Sequence, residues 1–363
     1  MRESDGQDSP SLATTRTPMR SFIFGAGASV HAGYPLAAEL WRAMEAWTRE
    51  TFAEGHDFRN AVNTMNTEFD LSKSFELVLT DLDDRIEPFL KQRPTTTEGI
   101  QEKVMLIYLR YAVKTMIPLY FNSLRSQPAE LYRTFANNVL APGDAVITFN
   151  YDLALDREMR RTGKWDIGNG YGFNINNLTV TDSPCKLFKL HGSTNWRGEV
   201  FQGSEDFGQT SWEDLSLGQR PIIDRSEFEF LEYSDVSDPQ DHRGRVRIES
   251  IIMPTARKQF YNETTFGREW EKFWDSLWLL AGEALSRTNE VYLIGYSVPV
   301  YDARAGNLIE TRLGSGAVMT VCCRNDTTGV IESVRKLLAH RNIDVRPACD
   351  NSFAGWVSTV KPE

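Results

Sequence analysis

A short apolar strand that breaks into a glycine turn and then a helix sets the first limit on what this chain can fold into. Ser21-Phe22-Ile23-Phe24 runs directly into Gly25-Ala26-Gly27-Ala28-Ser29, after which Leu36, Leu40, Trp41 and Met44 recur at helical spacing. Glycines let backbone N–H groups approach a phosphate closely, and the start of the following helix favours negative charge. The third glycine of a G-x-G-x-x-G fingerprint is missing from its usual place, with His31 and Gly33 lying beyond it. No acidic ribose partner follows at the expected distance either. A dehydrogenase-type dinucleotide site is therefore not the expected form, and a plain tight turn is the competing reading.

The pattern repeats along the chain. Ala145-Val146-Ile147-Thr148-Phe149, Lys186 to Leu190, Glu290 to Ile294, Val318 to Cys323 and Ile343-Asp344-Val345 read as short buried strands by their β-branched and aromatic content. Ile251-Ile252-Met253 reads as another, closed by Pro254. Helical segments separate many of them, including one over residues 259–286 with Trp270, Phe273, Trp274, Leu277 and Trp278 on one face, read as core or subunit interface. Strands alternating with helices predict an α/β fold, a Rossmann-like parallel sheet with helices on both faces. Residues 55–140 lack a useful strand and predict a large inserted helical module. Its expected buried stripes are Phe75, Leu77, Val78, Leu82, Ile86 and Leu90, then Val104, Ile107, Tyr108, Tyr111, Met116 and Tyr120. Residues 1–19 are polar and aperiodic, as in a disordered tail, and one domain is expected over 20–363. Residues 203–247 are acidic and predict an irregular excursion, a lid or an interface.

Composition narrows the partners. The net charge of −10 argues against a nucleic-acid interface, which needs a concentrated basic face. No apolar run approaches the ~20 residues that span a bilayer, and no signal-like segment follows the early arginines, so a cytoplasmic protein without membrane contact is expected. The four cysteines, Cys185, Cys322, Cys323 and Cys349, form no C-x-x-C pair, so no structural zinc site is expected. A G-x-S-x-G elbow and an H-E-x-x-H metal motif are both absent from the sequence.

In an open parallel sheet, ligands bind at the carboxyl ends of the strands. Small and polar residues collect there: Gly25, Ala26, Gly27 and Ser29; Asn150, Tyr151 and Asp152; His191; Gly295, Tyr296 and Ser297; Arg324, Asn325 and Asp326. Of the five histidines, His191 alone sits between an apolar strand and Gly192-Ser193, a position open to either a structural or a catalytic role.

Together these segments resemble the sirtuin-like superfamily. Gly25 to Ser29 with Gly33-Tyr34-Pro35 looks like its G-A-G-x-S…G-x-P opening. Thr148-Phe149-Asn150-Tyr151-Asp152 stands where the family has Asn-x-Asp, and Lys189-Leu190-His191-Gly192-Ser193 with Trp196 looks like its histidine-glycine motif. Gly295-Tyr296-Ser297-Val298-Pro299, followed by Asp302, matches a later strand-end motif. Without a four-cysteine zinc module, and with a helical insertion, the chain is instead similar to sirtuin-like NAD⁺ hydrolases of bacterial antiphage defence.

That resemblance implies cleavage of the nicotinamide–ribose bond of NAD⁺ as substrate, with no metal. It implies Asn150, His191 and Asp152 as catalytic residues: the amide orients water or ribose hydroxyls, the imidazole is the general base, and the carboxylate holds the nicotinamide side. Gly25, Ala26, Gly27 and Ser29 would seat the pyrophosphate, with Gly295 and Ser297 also at the cofactor and Asn325 at the adenosine ribose. It implies a homo-oligomer, and a HerA-type ATPase or another sensor acting in trans. Two alternatives stand beside it. One is a protein deacylase or ADP-ribosyltransferase at the same NAD⁺ site. The other is a non-catalytic NAD⁺ sensor or scaffold that regulates a partner.

Overall fold

The computed structural model describes residues 19–173, 182–201, 222–223, 245–255, 267–299, 302–324 and 327–360. The first strand, β1 (Arg20–Phe24), leads through a single turn α1 (Ala26–Ser29) into five helices: α2 (Ala37–Thr51), α3 (Asp57–Glu68), α4 (Phe75–Lys91), α5 (Thr97–Ser123) and α6 (Glu130–Asn138). The chain then forms β2 (Ala145–Thr148), α7 (Ala154–Arg161) and β3 (Lys186–Lys189). A second group follows: β4 (Gly192–Phe201), β5 (Ile222–Ile223), β6 (Arg245–Ile251) and α8 (Gly267–Ser286). It closes with β7 (Glu290–Ile294), α9 (Ala303–Arg312), β8 (Val318–Cys322), α10 (Thr327–Leu337), β9 (Asp344–Pro347) and α11 (Phe353–Thr359).

Six strands form one sheet in the order β3-β2-β1-β7-β8-β9, and every neighbouring pair is parallel. Counted within the sheet, this is the order 3-2-1-4-5-6 of the doubly wound dinucleotide-binding folds. Its switch point falls between β1 and β7, where the chain changes direction across the sheet. Residues Ser21–Phe24 and Ala145–Thr148 are buried without alternation, so both faces of the sheet are covered. Phe22, Phe24 and Tyr292 meet α6 and α11: Phe22 lies 4.9 Å from Phe135, Phe24 5.7 Å from Phe353, and Tyr292 4.9 Å from Trp356. Helix α11 was not read from the sequence.

The helical residues before β2 depart from expectation in their facing. In α4, Phe75, Val78, Leu79, Leu82 and Ile86 are buried, whereas Leu77 points outward at 45% exposure. In α5, Val104 is exposed and Ile107, Tyr108 and Tyr111 are half-buried, while Leu106, Leu109, Val113, Met116 and Ile117 fill the core. The cause is that residues 112–121 of α5 are buried all round, so no apolar stripe marks one face. By length and composition α5 is apolar enough to cross a bilayer, and here it packs against α3, α4, β4 and β6 as a core helix.

A second, antiparallel sheet of order β5-β4-β6 was also missed. Residues 251–253 were expected to be a strand of their own. The strand instead ends at Ile251, which pairs with Gly192, and Ile252 continues the contact by donating its N–H to the His191 carbonyl at 2.8 Å. Where the 203–247 segment is described, at residues 222–223 and 245–247, it is strand rather than irregular. The predicted 1–19 tail lies, except for residue 19, outside the described residues, as does most of the acidic excursion.

Candidate functional site

The carboxyl ends of β1, β2, β3 and β7 carry the residues singled out in the sequence. The β1 and β7 turns are stitched together through backbone. Gly25 N–H donates to Ile294 O at 3.0 Å, Gly27 N–H to Gly295 O at 2.9 Å, and Gly295 N–H to Cys322 O at 2.9 Å. A Cβ on Gly25 would lie 2.6 Å from the Tyr296 side chain, and one on Gly295, at φ +60°, would lie 2.2 Å from Ala28 N. These glycines therefore serve first the close approach of two loops at the switch point. The amides of Gly25, Gly27 and Ala28 all meet backbone carbonyls. Gly27 itself remains exposed and Ala26 half-buried, so this edge of the turn still faces outward. Beyond Gly295, Ser297 is exposed and the β-branched Val298 sits at φ 50°. That left-handed conformation holds about 1–3 kcal/mol of strain at the rim of the site.

Ser29 is buried, at 1% exposure, and forms the centre of a polar cluster. Its Oγ donates to Asp152 Oδ2 at 2.8 Å, lies 2.8 Å from the Tyr132 hydroxyl, and accepts from Asn150 Nδ2 at 3.0 Å. The Asn150 amide also donates to Gly25 O at 2.9 Å, tying β2 to the glycine turn. Asp152 Oδ1 accepts the N–H of Ala154 at the start of α7, and the Asp152 carbonyl accepts from Lys189 Nζ at 2.5 Å. Burial pushes the Asp152 carboxyl above its ordinary range, while Lys189, Ser29 and Ala154 oppose that shift. Burial likewise raises the Tyr132 hydroxyl well above its usual value. Lys189 is fully buried and pairs with Asp156 at 3.0 Å, and Asp156 also accepts from Tyr171 at 2.6 Å.

His191, at 5% exposure, sits in different surroundings. Its ring lies 5.0 Å from Phe149, 6.4 Å from Tyr151 and 6.4 Å from Trp278. Its Nε2 is 3.3 Å from Asp302 Oδ2, and the same carboxylate oxygen accepts from the Tyr296 hydroxyl at 2.8 Å. Tyr296 stacks on Phe149 at 4.4 Å, closing the cage.

The structure thus gathers Gly25, Ala26, Gly27, Ser29, Asn150, Asp152, His191 and Gly295 at one edge, with Ser297 on the rim, while Asn325 lies outside the described residues. Sequence reasoning missed Tyr132, Lys189 as a buried cation, and Trp278, which had been read only as core or interface. Asp302 had been noted as part of a motif without a role. A lysine directly before the apolar Leu190 and after Leu187-Phe188 was the available signal for the buried pair, since such a charge is almost never fully buried unless paired.

No protein-family model matches the chain, and no curated protein matches it. Solved structures of sirtuins resemble it distantly. A sirtuin from work on substrate affinity is 14% identical with a TM-score of 0.31, covering 89% of this chain and 93% of that one. Sir2Tm bound to a propionylated peptide is 13% identical with a TM-score of 0.29, covering 89% and 92%. Sir2 with p53 peptide and NAD⁺ is 14% identical with a TM-score of 0.31, covering 89% and 92%.

Proposed function

We propose that this protein hydrolyses NAD⁺ at the bond between nicotinamide and ribose. The observation that carries the proposal is the 3-2-1-4-5-6 parallel sheet, with a caged histidine and a glycine turn at its carboxyl edge. In such sheets the dinucleotide lies across the switch point, which here is the β1–β7 junction. The outward edge of the turn, at Ala26 and Gly27, is where the pyrophosphate would rest. Gly25 and Ser29 support that edge from beneath, and Gly295 and Ser297 border it.

Loss of nicotinamide breaks the C1′–N bond, the electron pair leaving with the ring, and positive charge builds on the ribose. Water adds at C1′ and gives up a proton, so NAD⁺ and water become nicotinamide, ADP-ribose and H⁺. Histidine is the side chain whose ordinary pKa suits that proton transfer near neutrality, and general-base help is commonly worth ~10²–10⁴-fold. In this reading His191 takes the proton, Asn150 orients the water or ribose hydroxyls with its carbonyl oxygen, and Asp152, whose two oxygens are taken by Ser29 and Ala154, holds the loop that carries Asn150 rather than the nicotinamide side expected of it. Asn325 would meet the adenosine ribose, and no metal has a part in these steps.

The role implied by the motif resemblance belongs to the same proposal: a cytoplasmic, homo-oligomeric effector of antiphage defence, depleting NAD⁺ when a HerA-type ATPase or another sensor signals in trans. The test is nicotinamide release by the purified protein, alone and with lysate of infected host cells. His191→Ala and Asn150→Ala, each shown to be folded by circular dichroism, should reduce release to background. Undiminished release in both variants would remove the site assignment. Stoichiometric NAD⁺ binding without release would favour the sensor reading, and release that requires acylated peptide would favour a deacylase.

A further inference from the structure

We infer that Asp302, assisted by the Tyr296 hydroxyl, is the positioning residue that orients the His191 ring for its work as general base. This rests on the proposed hydrolysis. Two strand ends and a helix start converge to make the arrangement: His191 follows β3, Tyr296 follows β7, and Asp302 precedes α9. Asp302 is 1% exposed, and its Oδ2 takes Tyr296 Oη at 2.8 Å and faces His191 Nε2 at 3.3 Å. A carboxylate facing Nε2 selects the tautomer with hydrogen on Nε2, which leaves the lone pair on Nδ1. The same carboxylate stabilises the imidazolium once Nδ1 has accepted a proton. The tyrosine hydroxyl fixes the carboxylate in turn, so the ring is set by two successive contacts rather than by packing alone.

Among the described residues, the nearby aromatic groups are Phe149, Tyr151 and Trp278. The charged and titratable groups are placed as follows. Asp302 faces the ring, the Tyr296 hydroxyl meets Asp302, Tyr151 stands beside the ring, and Glu76 of α4 acts on Tyr151. Arg304 lies over the Trp278 ring at 4.6 Å and is paired with Asp275 at 2.6 Å, and the Cys323 thiol lies against the Tyr296 carbonyl. Of these, only Asp302 meets an imidazole nitrogen with a full charge.

The test compares wild type with Asp302→Asn, Asp302→Glu, Tyr296→Phe and the His191→Ala/Asp302→Asn double variant. Asp302→Asn should lower kcat at least about tenfold, and by no more than the ~10²–10⁴-fold that His191 supplies. KM for NAD⁺ should change little, because the group acts through His191 and does not touch substrate. The acid limb of the kcat profile should move to lower pH, since the imidazolium loses its counter-charge. Asp302→Glu should recover part of the rate, Tyr296→Phe should fall in between, and the double variant should be no slower than His191→Ala. His191 titration followed by NMR reads the same contact without catalysis. Its midpoint should fall in Asp302→Asn. If wild type releases no nicotinamide, the hydrolase reading fails while the NMR titration still decides this inference. Should Asp302→Asn not fold, Asp302→Ser, which also removes the charge, decides at the same readouts, and wild-type kcat with an unmoved midpoint overturns the inference. An unmoved midpoint and unchanged pH profile in a folded Asp302→Asn overturn it too.

Discussion

Two buried aspartates lie at carboxyl ends of the sheet, and they keep very different company. Asp152 is held by the Ser29 hydroxyl, the Ala154 amide and, through its carbonyl, Lys189. Asp302 instead shares one oxygen between a tyrosine hydroxyl and a histidine ring. The Asp152 corner is built as a brace, holding the glycine turn, β2 and α7 in fixed register. The Asp302 corner couples a charge to a group that can gain and lose a proton. Burial alone therefore does not set the character of a carboxylate; its partners do.

Lys189→Met would strain this comparison hardest. It leaves Asp156 buried without its cation, which costs about 3–5 kcal/mol in comparable buried pairs. Urea denaturation should show that loss, and the Lys189→Met/Asp156→Leu double variant should regain much of it. A single variant as stable as wild type would mean the Asp152 corner is no brace. Ser29→Ala has the next largest effect. It leaves Asn150 Nδ2, Tyr132 and Asp152 each short of a partner, and about 1–3 kcal/mol should be lost. Its NAD⁺ turnover should fall less than in His191→Ala, and the reverse order would transfer the chemistry to this corner.

The smallest effect is one of pH. Because burial raises the Asp152 carboxyl, the folded state keeps its proton above the pH at which the unfolded chain ionises. The associated stability is complete below the unfolded carboxyl range and is lost as pH rises through the folded one. Asp152→Asn does not titrate, so its stability relative to wild type should climb as pH rises from below 4 toward neutrality. Parallel pH profiles for the two proteins would show that Asp152 is ionised in the fold without penalty.

Much of this was legible in the sequence wherever a local pattern and a tertiary requirement coincide. Strands such as Glu290–Ile294 and Val318–Cys322 carry their β-branched runs openly, and each expected strand-end residue among the described ones lies close to the end of its strand. Helix α5 hid its orientation because a helix buried all round has no polar face to mark. The β4–β6 sheet hid because its first residues, Ser193, Thr194 and Asn195, are polar yet buried, which reads locally as a loop. Tyr132 hid for a third reason. It reaches Ser29 across more than a hundred residues of sequence, and nothing local to α6 announces that bond. Asp302 carried a signal in its spacing after the Gly295 motif, but only its distance to His191 gives that spacing a use.

The stitched glycines at the switch point bear on how such a chain would change through descent. Gly25 and Gly295 are required by the meeting of the two turns, whether or not anything is ever cleaved there. A chain that kept this shape would retain Gly25 and Gly295 whatever it binds. The glycine signature therefore reports the architecture of the switch point and is silent on the chemistry beside it.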